Sequence, residues 1–328
     1  MSHTPLPHAE ISAALALLRA GELVGIPTET VYGLAADASQ PAAVAKIFAA
    51  KGRPADHPVI VHIAGAAQLA AWAQNIPDEA YLLAEAFWPG PLTLILERQP
   101  HVSPAVTGGQ DTVGLRAPAH PLTHALLSEF GGGLAAPSAN QFGHVSPTTA
   151  EHVRGEFSPE VLQLVLDGGP CAVGVESTIV SLVGDTPKLL RPGGVSRTAI
   201  EAVLGHPLEH HTNQHSAKQR VSGLLDSHYA PRTTLITGHA EQIMAAAAQR
   251  QAAGERIVVL SYSAIQSATY PLHPMPTDSD NYAQALYATL RQLDLAGYDA
   301  LLLELPPHTP EWLAVQDRLH RAAHHKLS

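Results

Sequence analysis

The sequence predicts an α/β protein made of two globular parts. Three observations predict it: short apolar runs of strand length alternate with helical patterns, Pro or Gly punctuates nearly every junction, and one polar, histidine-rich stretch interrupts the pattern at residues 206–230. With 328 residues, 45% of them apolar, the chain is long enough for two cores on the usual scale of roughly 100–200 residues per domain. The expected division is 1–205, a linker at 206–230, and 231–328.

In the first part, strands are expected at 22–26 (ELVGI), 59–63 (VIVHI), 92–96 (LTLIL), 112–116 (TVGLR), 163–167 (LQLVL) and 178–183 (TIVSLV). Helical periodicity falls near 8–20, 41–51, 65–75, 78–87, 121–130 and 148–155. Strands so irregularly spaced favour a mixed sheet over a regular parallel one. The second part is simpler: strand 233–237, helix 239–253, strand 257–261, helix 281–297, strand 300–304, helix 311–323. Strand and helix alternate three times, which implies a small parallel sheet with crossover helices.

Composition excludes several classes. No run approaches the ~18 apolar residues of a membrane helix, so no membrane partner is expected. The start MSHTPLPHAE lacks the basic and apolar regions of a secretion signal, so a cytoplasmic location is expected. The single cysteine, Cys171, excludes a disulfide framework and a multi-cysteine zinc site; with no paired base evident, it reads as a structural thiol. The net charge of −10 argues against tight binding of free nucleic acid, which rests on many cationic phosphate contacts. His206, His210, His211 and His215 lack carboxylate or cysteine partners at fixed spacing and read as a solvated linker.

Residues 1–205 carry only 10 Lys/Arg against 18 Asp/Glu, yet Lys51, Arg53, Arg116 and Arg191 lie in or beside Gly/Pro-containing strand-end segments. Scarce cations so placed suit a polyanion such as a nucleoside triphosphate, although four ordinary surface residues would look the same. Thr28, Glu29 and Thr30 follow the first strand, where hydroxyls either bind a compact polar ligand or cap a turn. Lys51-Gly52-Arg53-Pro54 and His57-Pro58 form a stiff loop leading to His62, itself either a ligand or a satisfied core histidine. Pro89-Gly90-Pro91 fixes a turn, Arg116 ends a strand with its fork free for a carboxylate, and Ala136–Asn140 is small and rigid enough for close backbone approach. Glycine-rich turns deliver Ser177 and Arg191 to strand ends. Neither a Walker P-loop nor GxGxxG is present, so any nucleotide is held by another device.

Taken in order, PTETVYGL, KGRP with HP and IVH, WPGPLT, TVGLR, APSAN, DGG with GVESTIV, and LLRPG resemble the YrdC-like family over essentially all of residues 10–205. The part that follows SHYAP resembles the Rossmann-like C-terminal domain of the longer, two-domain L-threonylcarbamoyladenylate synthases of that family. The resemblance implies a twisted mixed sheet with helices around a concave cavity. It implies a nucleotidyltransferase that makes threonylcarbamoyl-AMP and pyrophosphate from L-threonine, bicarbonate and ATP with Mg²⁺. Other proteins then transfer the threonylcarbamoyl group to the adenosine beside the anticodon in tRNAs reading ANN codons.

By motif position the resemblance places Thr30, His62, Arg116, Ala136 and Ser177 at L-threonine. It places Arg53, His57, Thr112, Ser138 and Arg191 at ATP, Lys51 near the phosphates, and Tyr229 over the nucleotide as a lid. Lys51, Arg53 and Arg116 are the expected catalytic residues, and no protein-bound metal is expected. Two departures stand out: His57 occupies a position where some members have Asn, and HTPEW replaces a glycine-rich lead-in to the last helix. Two other functions fit the fold, a carbamoyl transferase using carbamoyl phosphate and a non-catalytic RNA-binding or ribosome-maturation module.

Overall fold

The structure, a computed structural model, describes residues 8–210, 229–263 and 270–327. It divides into two compact units. One is built from residues up to 224; the other comprises residues 225 onward together with Gly143–Ser146 and Val173–Val175. His211 and His215 lie outside the described residues. Among the described residues no helix is long and apolar enough to cross a membrane.

The first unit is organised on a ten-stranded mixed sheet. Its strands in chain order are β1 (Val24–Ile26), β2 (Gly33–Asp37), β3 (Ile60–His62), β4 (Leu92–Glu97), β5 (Thr112–Arg116), β6 (Leu134–Ala135), β7 (Leu164–Val165), β8 (Thr178–Ser181), β9 (Lys188–Arg191) and β10 (Glu209–His210). In space they run β10-β9-β8-β4-β5-β3-β6-β2-β1-β7. The β3–β5 and β4–β8 pairs are parallel, and β4–β5, β3–β6 and β2–β6 antiparallel, as irregular strand spacing led one to expect.

Strand alternation decides which side chains meet. On the central strands Val61, Leu94, Val113, Leu115 and Val180 all belong to the larger core cluster. The residues between them, Ile60, His62, Ile95, Thr112, Gly114, Arg116 and Ile179, therefore fall on the other face. A smaller apolar cluster of Ile95, Ile179 and Leu190, with Ile60 against it, sits there. A separate core under the helix His8–Arg19 uses Ile11, Ala14, Leu15 and Leu18, the i, i+3, i+4, i+7 stripe of an amphipathic helix, against Val24, Ile26 and Leu134.

Five elements differ from expectation. β2 (GLAAD) lacks β-branched residues, and is a strand because it is buried between β1 and β6. The expected helix 65–75 is a 3₁₀ turn, Ala66–Gln68, followed by the single turn Leu69–Trp72. β6, β9 and β10 are two to four residues long, too short for a periodicity signal.

The second unit carries a five-stranded sheet of β11 (Thr234–Gly238), β12 (Ile257–Ser261), β13 (Leu272–Pro274), β14 (Ala300–Glu304) and β15 (His325–Lys326), ordered β13-β12-β14-β11-β15. Every pairing in it is parallel. The helices Ala240–Ala252, Ser279–Asp294 and Leu313–Ala322 make the crossovers. The short outer strands β13 and β15 were not expected.

Candidate active site

The face of the central strands opposite the larger core carries the polar groups. β3 ends in His62 and β5 in Arg116, which are register partners in the parallel pair. β5 also begins with Thr112 on that face, four residues and roughly 13 Å from Arg116 by strand rise. Between them lies Gly114, where a Cβ would come within 3.1 Å of Ile95 Cδ1 and 3.5 Å of Ile60 Cγ1. The floor of the site is thus an apolar strip with Arg116 and His62 at one end and Thr112 at the other.

Arg116 is 4% exposed. Its Nη2 donates to Glu29 Oε1 at 2.6 Å and its Nε to the Gly90 carbonyl at 3.3 Å. Glu29 Oε2 accepts from the Ala119 amide at 2.9 Å, so one carboxylate ties the PTET turn to the segment after β5. Gly90 sits where a Cβ would meet the Phe87 carbonyl at 2.2 Å, which explains the glycine in that turn. Beside Arg116, His62 is buried, and burial, then the Arg116 charge, push its pKa down to about 3. The imidazole is neutral, and its Nδ1 has no hydrogen-bond partner.

Thr30, fully buried, shares a hydroxyl contact of 2.9 Å with Thr28, whose Oγ1 also accepts from the Thr30 and Val31 amides at 3.2 Å. These are turn-capping bonds, the turn reading of this segment, and they leave the Thr30 hydroxyl at the strand end. Farther along the sheet, Ser177 immediately precedes β8. Its hydroxyl lies 2.8 Å from Thr93 Oγ1, and Arg191 reaches its carbonyl through Nε at 3.1 Å and its hydroxyl through Nη2 at 3.1 Å. Ser177 and Arg191, 14 positions apart, therefore form one unit. Gly193 permits this: a Cβ there would lie 2.3 Å from the Glu176 carbonyl.

Lys51 ends the helix Pro41–Lys51, which Gly52 stops in the left-handed conformation at φ 61°. Its Nζ donates to the carbonyls of Ser138 and Asn140, and the Phe142 amide returns a 2.9 Å bond to the Lys51 carbonyl. Burial, then the Arg53 charge, hold its pKa well below the usual ammonium range. Either protonation state supplies the two protons used. Arg53 donates to the Pro58 carbonyl at 2.8 Å, and the His57 ring meets the Phe142 ring edge-on at 5.6 Å. Ala136 is buried and its amide donates to the Ile60 carbonyl at 3.0 Å; Ser138 bridges Gly33 across the next segment.

The structure thus brings together Arg116 with His62, Ser177 with Arg191, and Lys51 with Ser138. Thr112 stands apart at the far end of β5. Tyr229 belongs to the second unit, where its ring stacks on Tyr287 at 5.7 Å and lies under the Arg318 guanidinium at 5.4 Å. Cys171 is buried and its pKa is pushed up to about 12, chiefly by burial, in keeping with a structural thiol. Sequence reasoning gave no role to Glu29 or Thr93. Thr93, the one polar residue in LTLIL, carried a visible signal; nothing in the sequence pairs Glu29 with Arg116.

Comparison with known proteins adds three findings. The family model Sua5_yciO_yrdC, described as telomere recombination, matches residues 16–193, and a model described as the threonylcarbamoyl-AMP synthase C-terminal domain matches 195–324. The chain is 42% identical to the threonylcarbamoyl-AMP synthase of Bacillus subtilis, covering 96% of this chain and 93% of the relative, and 37% identical to that of Schizosaccharomyces pombe, covering 92% and 84%. Among solved structures it is similar to Pyrococcus abyssi Sua5 complexed with L-threonine, with a TM-score of 0.89 and 37% identity over 99% of this chain and 98% of that one.

Proposed function

We infer that this chain, which belongs to the Sua5–YciO–YrdC family in its two-domain form, is a threonylcarbamoyl-AMP synthase, a nucleotidyltransferase that makes the adenylate used in tRNA modification. One observation carries the reading. Near-complete likeness to synthases, and to a protein crystallised with L-threonine, supports it, together with strand ends that carry Arg116 beside neutral His62 and Arg191 on Ser177. The two alternatives, carbamoyl transfer from carbamoyl phosphate and a non-catalytic RNA-binding module, have no such support.

In this reading residues 1–205 carry the chemistry. The threonine amine attacks bicarbonate carbon and water leaves, giving a carbamate. A carbamate oxygen then attacks the α-phosphorus of ATP; the new O–P bond forms as the bond to pyrophosphate breaks. The protein's work is positioning and charge compensation. Arg116, already held by Glu29 and Gly90, binds the threonine carboxylate with its remaining N–H groups. His62, neutral, offers an acceptor toward the threonine ammonium or hydroxyl, with Thr30, Ser177 and the Ala136 backbone completing that end. Arg53, His57, Thr112, Ser138 and Arg191 hold ATP along the strip, and Lys51 fixes the Ser138–Asn140 loop beside its phosphates. The motif gives Tyr229 the role of covering the nucleotide, a role proposed for a ring that the structure packs on Tyr287 and Arg318 within the second unit.

Among the described residues no group of three or more His, Cys, Asp or Glu is placed to hold a metal ion. Mg²⁺ is read as arriving with ATP, as part of the substrate. Proteins that carry the threonylcarbamoyl group onward to tRNA consume the product.

The test is to incubate the purified chain with MgATP, bicarbonate and labelled threonine and to look for threonylcarbamoyl-AMP by mass spectrometry. Product that requires all three substrates is expected. Turnover only when carbamoyl phosphate replaces threonine and bicarbonate would overturn the assignment.

A further inference from the structure

The second unit holds a cavity of about 450 Å³, lined by His239, Glu241, Gln242, Tyr262, Glu304 and Leu305. These residues follow the carboxyl ends of β11, β12 and β14. β11 and β14 are neighbours whose connections leave in opposite directions, one across β14 to β12 and the other across β11 to β15. Open parallel sheets bind ligands at such a reversal, because the diverging loops leave a crevice above the strand ends.

Two buried groups in or beside this cavity are incompletely paired. Glu304, 4% exposed, receives every bond it makes on one oxygen: Oε2 accepts from the hydroxyls of Ser261 at 2.5 Å and Ser263 at 2.9 Å and from the Ser263 amide at 3.1 Å. Its Oε1 accepts no hydrogen bond from the described residues. The Tyr282 hydroxyl is fully buried without a partner, and burial, then the Glu304 carboxylate, hold its proton on. Trp312 fixes both tyrosines, its ring 5.3 Å from that of Tyr282 and 6.2 Å from that of Tyr262. Glu304 Oε1 is thus left open to a donor that enters the cavity.

The charge of the lining selects the donor. Glu304 and Glu241 face one basic residue, His239, so a phosphate group is repelled. An ammonium is attracted, and the Tyr262 ring in the lining favours it further. The helix Ala240–Ala252 begins at the cavity, and its first-turn amides suit a carboxylate on the same molecule.

We propose that this cavity binds a small molecule through a protonated primary amine seated on Glu304 Oε1. Free α-amino acids and polyamines share that group. The site is separate from the sheet face of the first unit and does not depend on the reaction assigned to it.

The full chain is titrated with the common L-amino acids and, separately, with putrescine and spermidine, read by calorimetry and by hydrogen–deuterium exchange. Protection of segments 239–243 and 301–305 by either set is expected; amino acids alone would add the carboxylate to the recognised group, polyamines alone would confine it to the amine. Threonine at the first unit's site would instead protect residues 28–31, so the two sites are told apart. Glu304→Gln keeps an acceptor for the serines and is expected to weaken binding at least about tenfold, the scale of a charge-assisted bond. No protection of 239–243 by any probe, or undiminished binding by a folded Glu304→Gln variant, would overturn the proposal.

Discussion

Arg116 and Glu29, 87 positions apart in the chain, meet in an almost completely buried ion pair with Nη2 and Oε1 2.6 Å apart. The carboxylate sets the direction of the guanidinium. It also means the arginine cannot be removed without leaving a buried charge behind.

Arg116→Gln is therefore expected to lose adenylate formation and to lose stability together, by about 3 kcal/mol, because Glu29 is left unpaired. The double variant Arg116→Gln/Glu29→Gln should recover more than half of that stability and remain inactive. Denaturant unfolding and pyrophosphate release measure the two effects. A double variant that regains activity would remove Arg116 from substrate binding.

Lys51→Met keeps the length of the stem but strands the carbonyls of Ser138 and Asn140. Stability should fall by about 1–3 kcal/mol, the cost of unpaired buried acceptors. The KM for ATP should rise more than that for threonine, since the Ser138 loop belongs to the nucleotide end. An equal rise in both would indicate a general loosening instead.

His62 has a pKa of about 3 in the fold against its ordinary 6.5. Below pH 6.5 the unfolded chain takes up a proton that the folded chain refuses, so stability falls as pH drops through the window from 6.5 to 3, by about 1.4 kcal/mol per pH unit. Between pH 7 and pH 5 the parent should lose about 2 kcal/mol more than His62→Gln, measured by urea unfolding at each pH. Equal losses would show that His62 is not the titrating group.

Gly193→Ala drives a Cβ into the backbone before β8. Thermal unfolding should show a loss of about 2 kcal/mol or more. Because Arg191 and Ser177 share that junction, the affinity for ATP should weaken several-fold as well; an unchanged affinity would detach Arg191 from the nucleotide.

Cys171, its pKa near 12 and its side chain buried, is expected to resist iodoacetamide at pH 8 in the folded protein and to react once urea unfolds it. Mass spectrometry of the two samples distinguishes them. Rapid labelling of the native protein would mean that the surrounding segment opens readily.

Long elements and motif positions were legible in the sequence because each has a local cause. The helix Pro41–Lys51 announces itself by Pro at its start and Gly52 at its stop, and β4 by an unbroken apolar run interrupted only by Thr93. β2 and β6 were not legible: GLAAD and the pair Leu134–Ala135 become strands only because neighbours bury them. The site divides the same way. Arg116, His62 and Ser177 could be picked out as residues at strand ends, but the Glu29 carboxylate on Arg116 and the two carbonyls on Lys51 arise from segments about 87 residues away, and no local pattern encodes such pairings.

The strand order of the first unit has a consequence for biosynthesis. Neighbouring strands β8, β4, β5, β3 and β6 come from widely separated stretches, and the groups that close the site extend from Thr30 to Arg191. A nascent chain emerging from the ribosome holds no working fragment of the pocket until β9 has cleared the exit tunnel. Up to that moment the sheet around Gly114 lacks its outer strands, and pairings of such long range are the ones that form slowly.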